Sequence, residues 1–105
     1  MYEYRIKPGT WRVVDGDTVD IDVDLGFNIT TRIRARLAGV DTPERGQKDF
    51  HYATGLLTQY MEFNDNTGQL TIRTGKVGKY GRWIVYLDGD INAKLAEKWP
   101  YPEKF

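Results

Sequence analysis

Residues 18–38 carry two charge combs of opposite sign, and few arrangements of backbone satisfy both. Val19, Ile21 and Val23 alternate with Asp20, Asp22 and Asp24. After Leu25-Gly26-Phe27-Asn28, the residues Ile33, Ala35 and Leu37 alternate with Arg32, Arg34 and Arg36. A period of two marks a strand with one buried face and one wet face. In a hairpin where Asp22 faces Arg32, Asp20 faces Arg34 and Ile21 faces Ile33, so one register satisfies charge pairing and core burial together. The pattern predicts strands at 18–24 and 29–38 around a turn at 25–28, with an earlier strand at 10–15.

Downstream the period changes from two to that of a helix. Phe50, Ala53, Leu57, Tyr60 and Met61 follow helical spacing and predict a helix over 49–63, in which Gly55 costs about 1 kcal/mol and Asn64-Asp65-Asn66 supplies the stop. Strands are expected at 69–74 and 82–88 around a Gly/Lys-rich loop at 75–81, then a short helix from Asn92 to Trp99 ending at Pro100. Three strands, a helix, two strands and a terminal helix point to a mainly β or α+β fold. The expected form is a five-stranded antiparallel barrel of the OB kind, with one helix between strands 3 and 4 and a short C-terminal helix.

At 105 residues and 12.2 kDa there is room for one core, so residues 1–105 are read as a single domain. Composition removes several chemistries. With no cysteine and one histidine, His51, there is no disulfide, thiolate metal site, cysteine nucleophile or paired-histidine metal site. Fifteen basic and fifteen acidic residues give a net charge of zero, so a grip on phosphate has to rest on local placement of charge. The N-terminus, Met1-Tyr2-Glu3-Tyr4-Arg5, lacks the apolar stretch of a signal peptide. A cytoplasmic location is the default expectation, secretion the alternative, and no membrane partner is expected.

Asp15-Gly16-Asp17 and Asp41-Thr42-Pro43-Glu44 both fall at strand ends, where barrels place sites. Carboxylates joined by a backbone carbonyl form an oxygen-only set suited to a hard divalent cation. Each cluster taken singly also reads as ordinary turn chemistry. An EF-hand is excluded, because the loop glycine and the closing glutamate are absent. Arg36, shortly before Asp41, and Arg82, after Lys79-Tyr80-Gly81, offer guanidinium forks that match phosphate oxygens. Arg32 and Arg34 read instead as a solvated strand face, Asp20, Asp22 and Asp24 as their partners, Trp11 and Trp83 as core, and His51 as a surface side chain.

In order and spacing, four segments resemble the staphylococcal nuclease (thermonuclease) family over roughly residues 9–98: Val14-Asp15-Gly16-Asp17-Thr18-Val19, then Arg36-Leu37 leading through Val40 to Asp41-Thr42-Pro43-Glu44, then Lys79-Tyr80-Gly81-Arg82, then Asn92 opening a helix. The resemblance implies an OB-fold and a Ca²⁺-dependent phosphodiesterase that hydrolyses DNA and RNA with little sequence preference, leaving 3′-phosphate ends. It implies that Asp17 and Asp41 bind Ca²⁺ through carboxylates and Thr42 through its carbonyl. Glu44 would serve as general base, Arg36 and Arg82 would hold the equatorial phosphate oxygens, and Lys79 and Tyr80 would meet the neighbouring phosphate. A weak or inactive nucleic-acid-binding module of the same fold is the alternative, and a structural OB domain is a third class. DNA and RNA are the expected partners, with the chain a monomer or weak homodimer.

Three features sit awkwardly with that pattern. Strict alternation puts Arg36 on the face opposite Asp17, so curvature or a bulge has to bring them to one phosphate. The loop after Glu44 is short. The usual final helix of the family is missing, which leaves Trp99, Tyr101 and Phe105 to cap the barrel, to meet a second copy, or to stack on a base.

Overall fold

The computed structural model describes residues 2–68, 70–77, 83–88 and 90–100. Six strands and two helices follow in the order β1 (Tyr2–Ile6), β2 (Arg12–Asp15), β3 (Thr18–Asp24), β4 (Thr30–Leu37), α1 (Phe50–Asn66), β5 (Thr71–Val77), β6 (Trp83–Leu87) and α2 (Ile91–Lys98). The two combs pair as their spacing predicts, with Asp22 opposite Arg32, Asp20 opposite Arg34 and Ile21 opposite Ile33. On the outer face Arg34 grips both oxygens of Asp20 at 2.8 and 3.0 Å, and Arg32 reaches Asp22 at 2.8 Å. Both arginines are half exposed, so each pair contributes under about 1 kcal/mol and serves chiefly to hold the register. The inner face, Val19, Ile21, Val23, Ala35 and Leu37, is buried against Leu57 and Met61 of α1, Val85 and Leu87 of β6, and Ile91 and Leu95 of α2.

Five strands close a mainly β, OB-like barrel in the order β1-β5-β6-β4-β3, with β1 returning to β3. The expectation of a wholly antiparallel barrel fails at one seam, where β4 and β6 run parallel through Ala35/Trp83, Arg36/Ile84 and Leu37/Val85. The reason is parity: strand direction cannot alternate at every seam of a closed ring with an odd number of strands. Four seams are antiparallel and the fifth has to be parallel.

An N-terminal strand was also not expected. Tyr2, Tyr4 and Ile6 alternate with Glu3 and Arg5, and β1 pairs with both β5 and the far half of β3. It shares one edge of β3 with β2, which takes the near half through Arg12/Asp20 and Val13/Val19. Between them Pro8 has no N–H to donate and Gly9 adopts φ 72°, which breaks the edge into two strands. Because β1 comes first, α1 lies between the fourth and fifth strands instead of the third and fourth.

Other boundaries moved for identifiable reasons. Helix α1 runs through the expected stop to Asn66, because Asn64 is buried and its side-chain amide donates to Asp88 O at 2.8 Å. Strand β5 extends to Val77, into the stretch expected as loop, and pairs with β6 across a register shift between Thr74 and Lys76. Asn92 is a structural pin: its amide nitrogen donates to Ala38 O and Val85 O, both at 3.0 Å, and its oxygen accepts from Leu87 N–H at 2.9 Å. Trp11, Trp83 and Trp99 all pack against the core, Trp11 also donating to Asp65 Oδ2 at 2.9 Å, whereas Tyr101 and Phe105 lie outside the described residues.

The β3–β4 turn is unusual. Ile29 N–H donates to Gly26 O at 2.9 Å, and the two residues between them, Phe27 (φ 55°) and Asn28 (φ 60°), are both left-handed. This is the geometry of a type I′ hairpin turn, which suits asparagine and costs a phenylalanine roughly 1 kcal/mol.

Candidate active site

Asp15 pairs with Thr18, so Gly16 and Asp17 form a two-residue loop closing the β2–β3 hairpin, just beyond a register shift between Val13 and Asp15. A loop residue is released from the alternation of its strand. That resolves the conflict over Asp17 and Arg36. Asp17 O accepts from Leu37 N–H at 2.8 Å, which brings the loop alongside the end of β4. Its side chain then meets Arg36, with Nη1 at 3.2 Å from Asp17 Oδ2. The other oxygen, Oδ1, accepts from Thr18 Oγ1 at 3.0 Å, and Oδ2 also accepts from Thr42 N–H at 3.1 Å.

Arg36 ties the Asp17 loop to the segment that follows β4. Besides Asp17, its Nη1 donates to Val40 O at 2.8 Å, and its Nη2 lies 3.8 Å from Asp41 Oδ1. The segment after β4 is held from the other side, where Ala38 N–H donates to Val85 O, Asp41 N–H donates to Trp99 O, and Val40 bridges Pro100. Asp17, Arg36, Asp41 and Thr42 therefore meet at one end of the barrel. Asp41, Thr42, Pro43, Glu44, Gln47 and Trp99 line an open recess of about 380 Å³ beside them. Glu44 is exposed on this recess, in a turn where its N–H donates to Gln47 Oε1 at 2.7 Å and Gln47 N–H donates to Glu44 O at 2.9 Å. Lys79, Tyr80 and Arg82 lie outside the described residues.

Spacing alone did not reveal the part played by Gly16. Helix α1 packs so closely on this loop that a Cβ at Gly16 would come within 2.8 Å of Ala53 Cβ and of Thr42 Cγ2 and Oγ1. Thr42 itself is buried, and its hydroxyl has no hydrogen-bond partner among the described residues.

Burial pushes the Asp17 carboxyl up from its ordinary 3.8 to about 6, reinforced by neighbouring Asp15 and opposed by Arg36 and the Thr42 N–H. Protonation of Asp17 is thus easier in the folded chain than in the unfolded one. Its charge costs stability above pH 6, by roughly 3 kcal/mol, and that cost is relieved as pH falls from about 6 toward 3.8. Asp20 acts in the opposite sense, its carboxyl held below 3.8 chiefly by the hydrogen bond from Arg34, so its contribution is lost only at more acidic pH. In chelator, the melting temperature is expected to rise by roughly 5 °C between pH 8 and pH 5. Asp17→Asn should start higher at pH 8 and lose that rise. Thermal melts of both proteins at the two pH values decide it.

The Asp17 and Asp41 carboxylates, both within 4 Å of Arg36, are oxygen donors of the kind a hard divalent cation takes. No group of three or more His, Cys, Asp or Glu side chains placed to hold a metal occurs among the described residues, so such an ion would draw ligands from outside the carboxylates. Also among the described residues, no helix is long and apolar enough to cross a membrane. The fold and this cluster define a small barrel with an acid–arginine site at its strand ends. No protein-family model and no curated protein matches the chain.

Proposed function

We propose that the chain is a Ca²⁺-dependent phosphodiesterase of the staphylococcal nuclease kind, built on an OB-fold and acting on DNA and RNA. One observation carries the reading: Arg36 lies between Asp17 and Asp41, 3.2 and 3.8 Å away, uniting residues that local alternation would keep apart. In this proposal Asp17, Asp41 and the Thr42 carbonyl hold the ion, which when bound supplies Lewis-acid polarisation of the phosphate. Glu44, exposed on the recess, removes the proton from the attacking water. Arg36 and Arg82 hold the equatorial oxygens as negative charge builds, while Lys79 and Tyr80 meet the adjacent phosphate. Water adds to phosphorus, the bond to the 5′ oxygen breaks, the departing oxygen takes up a proton from solvent, and the products are a 3′-phosphate and a 5′-hydroxyl.

A second reading, a weak or inactive nucleic-acid-binding module, draws on the same arginine. Its side chain is only 15% exposed and donates to the Val40 carbonyl at 2.8 Å, which is the setting of a structural clamp. Digestion of an end-labelled oligonucleotide in Ca²⁺, with the product ends mapped, separates the two. Under the first reading 3′-phosphate ends appear, and Glu44→Gln slows cleavage about a hundredfold while Ca²⁺ affinity by calorimetry is unchanged. Equal rates would remove Glu44 from the base role. Binding without any cleavage would favour the module.

A further inference from the structure

Two kinds of partner hold cations in this chain. On β4, Arg32, Arg34 and Arg36 are paired with carboxylates, which cancels their charge. Around α1 the partners are rings instead. The Arg45 guanidinium lies 5.4 Å from the centre of the Phe50 ring, Lys98 Nζ 5.9 Å from that of Tyr52, and Lys94 Nζ 5.3 Å from that of Tyr60. A ring holds a cation through its quadrupole and leaves the charge whole. Arg45, Lys94 and Lys98 are exposed, and among the described residues none of them forms an ion pair.

These cations adjoin the candidate active site. Arg45 directly follows Glu44 and Lys98 directly precedes Trp99, and both Glu44 and Trp99 line the recess with Asp41 and Thr42. The Trp99 ring meets Tyr52 edge-on with 5.8 Å between centres, so the wall of the recess continues onto α1. Lys94 stands one turn before Lys98 on α2, about 6 Å along the helix axis. Tyr52 is 53% exposed, which sets aromatic surface beside charge that no carboxylate cancels. Proteins that bind single strands combine the same two elements, cations for the backbone and rings for the bases.

We infer that a single strand of nucleic acid entering the recess continues over the face shared by α1 and α2, its phosphates meeting Arg45, Lys94 and Lys98. The inference rests on the nucleic-acid reading proposed above and names the form of the substrate. A single strand is favoured over a duplex because only unpaired bases can turn toward Tyr52. With zero net charge on the chain, attraction for a polyanion has to come from such a local set of uncancelled cations. Phosphate contacts carry no base information, so this track adds affinity equally for all sequences.

Anisotropy of a fluorescein-labelled oligothymidylate of about 12 nucleotides, titrated with the full chain in excess chelator over about 20 to 200 mM salt, tests the inference. The triple variant Arg45→Gln, Lys94→Gln, Lys98→Gln should bind on the order of tenfold to a hundredfold more weakly at about 50 mM salt. Its plot of log affinity against log salt should be shallower by about 2, since each phosphate contact to a single strand contributes about 0.7. Lys7→Gln, which removes an exposed lysine beside Asp65 and Gly68, should change neither quantity. Circular dichroism checks that each variant is folded. An unchanged slope in the triple variant, tighter binding of a duplex of the same length, or equal binding of a polyglutamate of matched charge would overturn the inference. Absence of oligonucleotide binding at the lowest salt would overturn it together with the proposed function. The expected binding pattern without cleavage in Ca²⁺ would support the track and remove the phosphodiesterase alone.

Discussion

Arg36→Met is expected to destabilise the chain by about 3–5 kcal/mol at pH 8, because it strands the Asp17 carboxylate in a buried site. Methionine retains much of the apolar stem of arginine, so the loss reports the guanidinium and not the packing. Arg36 is among the groups that lower the Asp17 pKa, and removing it pushes a carboxyl already near 6 further upward. The variant should therefore recover much of its deficit at pH 5, where Asp17 takes up a proton. A residual loss of about 1 kcal/mol should persist at both pH values, since Val40 O has lost the donor at 2.8 Å. Urea unfolding at pH 8 and pH 5 measures both parts. An equal deficit at the two values would show that charge compensation is not what Arg36 provides here.

Gly16→Ala should cost about 1–3 kcal/mol, a drop of roughly 10 °C in melting temperature, although it adds one methyl group on a loop. The methyl would meet Ala53 Cβ and the Thr42 side chain at 2.8 Å, so α1 or the hairpin has to retreat. Retreat also disturbs the site, because Asp17 is the next residue and its Oδ2 accepts from Thr42 N–H at 3.1 Å. Thr42→Ser deletes the Cγ2 methyl, one of the three close contacts, and in the double variant should return part of the lost stability. Purely additive effects of the two substitutions would mean that they do not meet.

The β3–β4 hairpin was legible because two independent patterns, charge and apolarity, select the same register through Asp20/Arg34 and Ile21/Ile33. Strand β1 was not, because its inward positions begin with tyrosines over only five residues, and its partners lie far along the chain in β3 and β5. The parallel β4–β6 seam could not be read from any local segment, being a property of closing an odd ring. Asp17, Arg36, Asp41 and Thr42 were legible as residue types at strand ends. Their meeting was not, since it depends on Asp17 occupying a hairpin loop where alternation lapses. The need for glycine at position 16 comes from a helix 37 residues later, Ala53 of α1, and no spacing rule reports such a contact.

The acid–arginine cluster is tested most directly by digesting plasmid and single-stranded DNA with wild type and Asp17→Asn, each in excess Ca²⁺ and in excess chelator. Asp17→Asn is the right comparison because it is expected to remain folded and to be at least as stable near neutral pH. Cleavage should occur only for wild type in Ca²⁺, with the variant below about a hundredth of that rate. Wild type that binds DNA yet cleaves it at no Ca²⁺ concentration, or Asp17→Asn that cleaves at the wild-type rate, would contradict the assignment.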